Sequence, residues 1–213
     1  ATTEIYTLSL HDALPIFYIR VEDVPEVAYM PAAERQLLEW QAESVQHLDV
    51  EDRLDRDATW SAKRSALDTV YRLPRTLARD RAFERFTVEQ GEGLVDFATW
   101  CALAEVHGPR WTQWPVELRD PGSPAVQAER ERLSDRVDFY CWLQWVADEQ
   151  LRAVQREALE SGMRLGVVHD MAVGVHPEGA DAWSLGRVLA RDVSVGAPPD
   201  AFNQQGQDWS QPP

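Results

Sequence analysis

The chain has 213 residues and carries 36 acidic against 21 basic side chains, a formal net charge of −15 at pH 7. This acidity opposes binding to nucleic-acid phosphates and to anionic membranes, and no apolar run is long enough to span a bilayer. The sequence therefore predicts one or two domains in a cytoplasmic protein, with a neutral or cationic partner and no nucleic-acid or membrane partner.

The first segment, residues 1–16, contains the string TLSLHDALPI. This string resembles the in-frame translation of a widely used short-read sequencing adapter. We therefore interpret residues 1–16 as an adapter-derived scar, which implies a reading frame that began inside a longer gene, and we give His11 and Asp12 no functional weight. The alternative is a genuine β-strand that carries a His-Asp pair.

The next segment is predicted to be one short strand followed by helices. Phe17–Val21 is rich in aromatic and β-branched residues, which favours a strand. Beyond it the apolar residues follow a helical period to about residue 161, interrupted by a loop at residues 109–122 that contains Pro, Gly and Trp. Three residues punctuate this pattern: Pro31 in a first turn, Pro74 as a stop and Gly91 as a break.

A long helical stretch is predicted to begin with Ser123 as N-cap and Pro124 in the first turn, to break near Ser134, and to end at a left-handed Gly162. Its inner face is predicted to comprise Val137, Tyr140, Cys141, Gln144, Leu151, Val154 and Ala158. Because the two cysteines, Cys101 and Cys141, lie in apolar helical patterns without a CxxC motif, we expect buried free thiols.

Nine tryptophans are an unusually large number for this length, and a flat apolar ring suits both core packing and stacking on sugars. Trp100, Trp142 and Trp145 lie inside helical patterns and are predicted to pack in the core, whereas Trp209 lies in a polar loop. Met163–Val168 then has apolar residues at nearly consecutive positions, as in a strand buried on both faces. Helix followed by buried strand is the unit of a β/α barrel or a doubly wound sheet.

Three blocks in the last third of the chain resemble blocks of the amylomaltases, the 4-α-glucanotransferases related to α-amylases. They are the strand that ends at Asp170, the GADAW block at Gly179–Trp183, and the block at Gly196–Trp209. The third resembles the family pattern Gly-x-Pro-Pro-Asp-x-Phe-x-x-x-Gly-Gln-x-Trp-Gly-Asn-Pro almost throughout, with Ser210 and Gln211 in place of the final Gly-Asn. Departures from the family patterns occur at His169, Ala172, Val173, Gly174, Ser210 and Gln211. The resemblance covers residues 17–213. Within this range, the segments upstream of the three blocks are similar to the variant of the family found in GC-rich actinobacteria.

The resemblance implies an α/β fold, a partial (β/α)8 TIM barrel with large helical insertions. Residues 17–161 would form the mostly helical part, and residues 162–213 the barrel strand that ends at Asp170 together with a substrate-binding loop region. The implied reaction transfers 1,4-α-glucan segments to glucose or another 1,4-α-glucan by a retaining double displacement. The implied partner is a maltooligosaccharide or α-glucan, with no cofactor and no metal; the oligomeric state is left open.

The resemblance also implies a set of substrate-binding residues: Asp170, Asp200, Phe202, Gln207 and Trp209. Aromatic rings can stack on sugar faces, and amide or carboxylate groups can bind hydroxyls. Ordinary loop packing is the alternative for the last four residues, with an Asx turn for Asp200 and a lid over the barrel for Trp209. For Asp170 the alternative is a structural acceptor for backbone N–H groups at the end of its strand.

The nucleophile and the acid/base of this family belong to later barrel strands, so we assign no catalytic residue and expect this segment to be inactive by itself. Two functions of other classes remain open: a non-catalytic glucan-binding module and an acidic helical interaction protein.

Overall fold

In a computed structural model of the protein, the described residues are 16–46, 56–169, 174–190 and 193–213. They divide into two compact units, the first with the described residues of 15–89 and 142–168 and the second with those of 90–141 and 169–213. Among these residues the fold is mostly helical and contains one sheet of two strands. Across the same residues, every helix falls short of the length and hydrophobicity that a membrane span requires.

The α-helices in chain order are α1 (Ala32–Gln46), α2 (Arg56–Tyr71), α3 (Leu77–His107), α4 (Pro124–Arg132), α5 (Ser134–Glu160) and α6 (Ala180–Ser184). Short 3-10 helices are Ile16–Tyr18, Val21–Asp23, Pro25–Tyr29, Trp111–Gln113 and Val116–Leu118. The strands are β1 (Val195–Ala197) and β2 (Gln207–Gln211). The predicted helical content between residues 31 and 161 is therefore confirmed for the described part of that range.

The predicted helix ends are also confirmed. Helix α2 ends at Tyr71, before Pro74, and α3 is interrupted at Gly91, whose φ of 65° and ψ of −146° are not helical. Ser123 caps α4, because its hydroxyl accepts a hydrogen bond of 3.1 Å from the Val126 N–H. Gly162 has a φ of 94°, the left-handed conformation that ends a helix.

The predicted strand at Phe17–Val21 is wrong, because this segment forms parts of two 3-10 helices. Ile16 and Ile19 are each 1% exposed, and their spacing of three residues matches the 3-10 period rather than the alternation of a strand. The backbone of Arg20 is hydrogen-bonded at both its N–H and its C=O to the Gln150 carboxamide of α5, at 2.8 Å each. The Gln150 side chain thus binds the backbone N–H and C=O groups that would otherwise pair with a neighbouring strand.

The predicted buried strand at Met163–Val168 is also wrong for the described structure. Leu165 is 76% and Val168 is 78% exposed, and the segment has no strand pairing. The Gln155 carboxamide donates to the Leu165 C=O at 3.0 Å and accepts from the Val167 N–H at 2.7 Å. Gly166 between them has a φ of 71°, outside the β region, which explains why the backbone does not continue as a strand.

The core of the first unit is aromatic and contains a buried ion pair. Trp145 of α5 packs against Phe83 of α3, with ring centroids 5.4 Å apart, and the Arg79 guanidinium lies 4.0 Å from the Trp145 ring centroid. Arg79 donates to the Glu26 carboxylate at 2.9 and 3.3 Å and to Glu149 at 2.5 Å. The Glu26 side chain is only 1% exposed, so Arg79 supplies the countercharge in a pair that is largely removed from water.

The core of the second unit is built around three tryptophans. The ring of Trp114 lies 6.2 Å from that of Trp100 and 6.1 Å from that of Trp183, by their centroids. Trp183, in the GADAW block, is 0% exposed and its indole N–H donates to the Leu118 C=O at 3.0 Å. These rings are core residues, and the same is true of Trp142 and Trp145, so the predicted core positions are confirmed.

The inner face predicted for the long helix is confirmed except at Leu151 and Val154. Buried positions are Val137, Tyr140, Cys141, Gln144 and Ala158. Leu151 is half-buried, and Val154 is 52% exposed.

Cys101 and Cys141 are free and buried, as predicted. Burial raises the pKa of the Cys141 thiol to about 12 and raises the pKa of the Cys101 thiol well above its usual range. Both thiols are therefore protonated and unreactive in the folded protein.

Candidate functional site

The Pro-Pro-Asp block forms a loop between the two strands of the sheet. Strands β1 and β2 pair antiparallel, with Gly196 opposite Asp208 and Ala197 opposite Gln207, and residues 198–206 connect them. A Cβ at position 196 would lie 2.0 Å from the backbone oxygen of Gln207, so only glycine allows this close pairing. Gly206, with a φ of 73°, closes the loop where it meets the end of β1.

Asp200 organises the first half of this loop. Its Oδ1 accepts hydrogen bonds from the backbone N–H groups of Phe202 at 2.8 Å and Asn203 at 2.6 Å. Its own N–H donates to the Asn203 C=O at 3.0 Å. This is an Asx turn, the alternative that the sequence left open for Asp200.

Phe202 projects from that turn and is 100% exposed. Pro198 and Pro199 restrict the backbone that leads into the turn, because each proline ring fixes one φ angle. A fully exposed phenylalanine on a restricted backbone presents its apolar ring without a packing partner. Such a ring can stack on the apolar face of a sugar.

Gln207 and Trp209 lie on one side of the loop exit and contact each other. The Trp209 indole N–H donates to Gln207 Oε1 at 2.9 Å, and Trp209 is 39% exposed. Since the carbonyl oxygen of the carboxamide accepts this bond, Gln207 offers its N–H groups to a ligand. The pair therefore combines an accessible ring with an oriented hydrogen-bond donor.

Asp208, between these two residues, forms hydrogen bonds that stabilise this part of the chain. Hydrogen bonds from the Ser194 side chain and from the Ser210 N–H lower the pKa of the Asp208 carboxyl below its usual range. Asp208 is therefore ionised at neutral pH. It joins Ser194, which precedes β1, to Ser210 in β2.

The structure brings four of the five predicted site residues into this one strand-loop-strand segment: Asp200, Phe202, Gln207 and Trp209. The fifth, Asp170, lies outside the described residues. Gly174, the first described residue after it, lies against the side chain of Gln211 in β2, because a Cβ there would be 2.5 Å from Gln211 Oε1. The binding roles of the five predicted site residues remain predictions.

Sequence reasoning missed Asn203, which holds the loop closed. Its C=O accepts from the N–H groups of Asp200 at 3.0 Å and Gly206 at 3.2 Å, and its Oδ1 accepts from the Gln205 N–H at 3.1 Å. The spacing Asp-x-x-Asn, two turn-forming residues after a Pro-Pro pair, could have indicated this role.

Outside the loop, the described residues form a groove but no metal-binding cluster. In the first unit, a groove of about 530 Å³ is lined by residues between Tyr18 and Pro25, by Arg79 and by α5, and it contains none of the predicted site residues. Among the described residues, no group of three or more His, Cys, Asp and Glu side chains is arranged to bind a metal ion.

Comparison with known proteins decides the family. The family model described as 4-alpha-glucanotransferase, glycoside hydrolase family 77, matches residues 6–213. The chain belongs to this family. The 4-alpha-glucanotransferase of Mycobacterium tuberculosis (strain H37Rv) is 52% identical over 197 residues, which cover 92% of this chain and 27% of that protein. The Haemophilus influenzae 4-alpha-glucanotransferase is 27% identical over 98% of this chain and 32% of its own length.

Solved structures agree with that assignment. The crystal structure of amylomaltase from Corynebacterium glutamicum matches with a TM-score of 0.79 and 40% identity, over 98% of this chain and 28% of that one. Amylomaltase from Streptococcus agalactiae, solved in complex with acarbose, shares the fold with a TM-score of 0.67 at 18% identity. The family resemblance predicted from the three sequence blocks is confirmed. The chain spans about a quarter of the length of the 4-alpha-glucanotransferase with which it shares 52% identity.

Proposed function

We propose that this chain supplies a glucan-binding part of a 4-α-glucanotransferase, which transfers 1,4-α-glucan segments to glucose or to another 1,4-α-glucan. One observation carries the proposal: the block that matches the family pattern forms a strand-loop-strand segment in which Phe202 of the loop is fully exposed and Trp209 of β2 is partly exposed. The match to the family model extends over the whole block.

The chemistry of the loop fits a maltooligosaccharide. A glucose ring offers an apolar face to an aromatic side chain and a rim of hydroxyls to polar groups. Phe202 and Trp209 supply accessible rings, and Gln207 supplies N–H donors held in place by the Trp209 indole. A neutral glucan is also compatible with the net charge of −15, which would repel an anionic substrate.

We further propose that the whole enzyme works by retaining double displacement. In such enzymes a carboxylate nucleophile and an acid/base carboxyl group lie about 5 Å apart, and the glycosyl-enzyme intermediate is passed to an acceptor hydroxyl. We assign both groups to parts of the enzyme other than residues 17–213, and we assign no catalytic residue here. The described residues would belong to a (β/α)8 barrel with helical insertions, in a cytoplasmic enzyme whose free thiols suit a reducing compartment.

Replacing Trp209 tests the binding role. We expect Trp209→Ala to weaken binding of maltoheptaose to the chain by at least about fivefold, because the stacking ring and the support of Gln207 are both lost. Isothermal titration calorimetry would measure the dissociation constant. Trp40→Ala is the matched control, since Trp40 is 65% exposed on α1 and lies outside the loop. Equal affinities of Trp209→Ala and the unsubstituted chain would reject the binding role of the loop.

A further inference from the structure

We propose that Asp200 is a positioning residue, which orders the backbone that presents Phe202 to the glucan, rather than a residue that recognises sugar hydroxyls through its charge. This inference rests on the function proposed above. It assigns Asp200 a different role from the substrate-binding role that the family resemblance implied.

Asp200 makes several hydrogen bonds inside the loop. Three hydrogen bonds join it to the next turn, two through Oδ1 to the N–H groups of Phe202 and Asn203, and one from its own N–H to the Asn203 C=O. Oδ1 thus fixes the peptide N–H of the very residue whose ring is displayed.

Phe202 itself lacks a restraint from the core of the described residues. Its side chain is 100% exposed, so core packing does not hold the ring or the backbone that carries it. The ends of the loop are pinned instead, by the pairing of Ala197 with Gln207 and by the close approach of Gly206 to Ala197. Between these ends, the turn at Asp200 sets the direction of the Phe202 backbone. An ordered loop binds more tightly because less conformational entropy is lost on binding.

A pair of substitutions separates positioning from direct recognition. Asparagine keeps the Oδ1 acceptor and removes the charge, whereas alanine removes the acceptor. We expect Asp200→Asn to bind maltoheptaose within about twofold of the unsubstituted chain, and Asp200→Ala to bind about fivefold more weakly because the loop must then be ordered on binding. Both variants should keep the unfolding midpoint, because Asp200 is exposed.

Amide hydrogen exchange followed by NMR provides the readout that needs no ligand. The N–H groups of Phe202 and Asn203 should be protected in the unsubstituted chain and in Asp200→Asn, and should lose protection in Asp200→Ala. Phe202→Ala is the reference for loss of the ring: it should weaken binding while the Asn203 N–H stays protected.

Two results would overturn the inference by itself: equal loss of affinity in Asp200→Asn and Asp200→Ala, or unchanged protection of both amides in Asp200→Ala. Failure of the unsubstituted chain to bind maltoheptaose would overturn the proposed binding function instead. The exchange measurement would still decide whether Asp200 orders the loop.

Discussion

Replacing Arg79 with methionine is expected to destabilise the first unit by about 3–5 kcal/mol at neutral pH, because the Glu26 carboxylate then stays buried without its partner. Methionine can still pack on Trp145, so the loss should reflect the charge rather than the stem of the side chain. Urea unfolding followed by circular dichroism would measure the free energy of unfolding.

Two further variants isolate the cause. Arg85→Ala removes an exposed arginine from the same helix and should change stability by no more than about 0.5 kcal/mol. Combining Arg79→Met with Glu26→Leu should recover most of the lost stability, since a buried charged pair can be exchanged for apolar residues at little cost. If Arg79→Met costs less than about 1 kcal/mol, the ion pair does not stabilise this core.

Trp183→Ala is expected to destabilise the second unit by about 3–5 kcal/mol, the usual cost of removing a large buried aromatic side chain. Trp183 is fully buried against Trp114, and its indole N–H is bonded to the Leu118 C=O. The substitution leaves a cavity and an unpaired carbonyl. The same urea titration would report the change in unfolding free energy.

The matched control for Trp183 is Trp209→Ala, which removes the same side chain from a partly exposed position. Its effect on stability should stay within about 0.5 kcal/mol, even though it weakens glucan binding. A similar stability loss in both variants would contradict the assignment of Trp183 to the core and Trp209 to the binding loop.

The helices could be predicted from the sequence because their signals are local. A proline in a first turn, the Ser123 cap and the left-handed Gly162 each act within one turn of the helix that they begin or end. The apolar period of 3.6 residues identified the buried face of α5 except at Val154, which is exposed although it keeps the period.

The two strand predictions failed because their outcome depends on side chains that lie outside each run. Apolar and β-branched runs favour strands only where neighbouring strands accept their backbone groups. At Arg20 and at Leu165–Val167 the carboxamides of Gln150 and Gln155 bind those groups instead. The residue pattern of neither run indicates that a glutamine side chain of α5 will bind its backbone groups.

The loop was located by its resemblance to the family pattern, but the roles of its residues were only partly predictable. The resemblance predicted Asp200, Phe202, Gln207 and Trp209, together with Asp170, as one binding set. The structure separates them into a turn-forming carboxylate, an exposed ring and an indole-carboxamide pair. These differences arise from hydrogen bonds within the loop, which residue types alone do not specify.

Transfer activity in a chimera tests the proposed function most directly. Residues 17–213 would replace the matching segment of the Mycobacterium tuberculosis 4-alpha-glucanotransferase, with which the chain shares 52% identity. We expect the folded chimera to release glucose from maltotriose, and Phe202→Ala together with Trp209→Ala to lower its kcat/KM by at least about tenfold. The isolated chain should release none. A chimera that folds but transfers no glucan, or glucose release by the isolated chain, would contradict the proposed function.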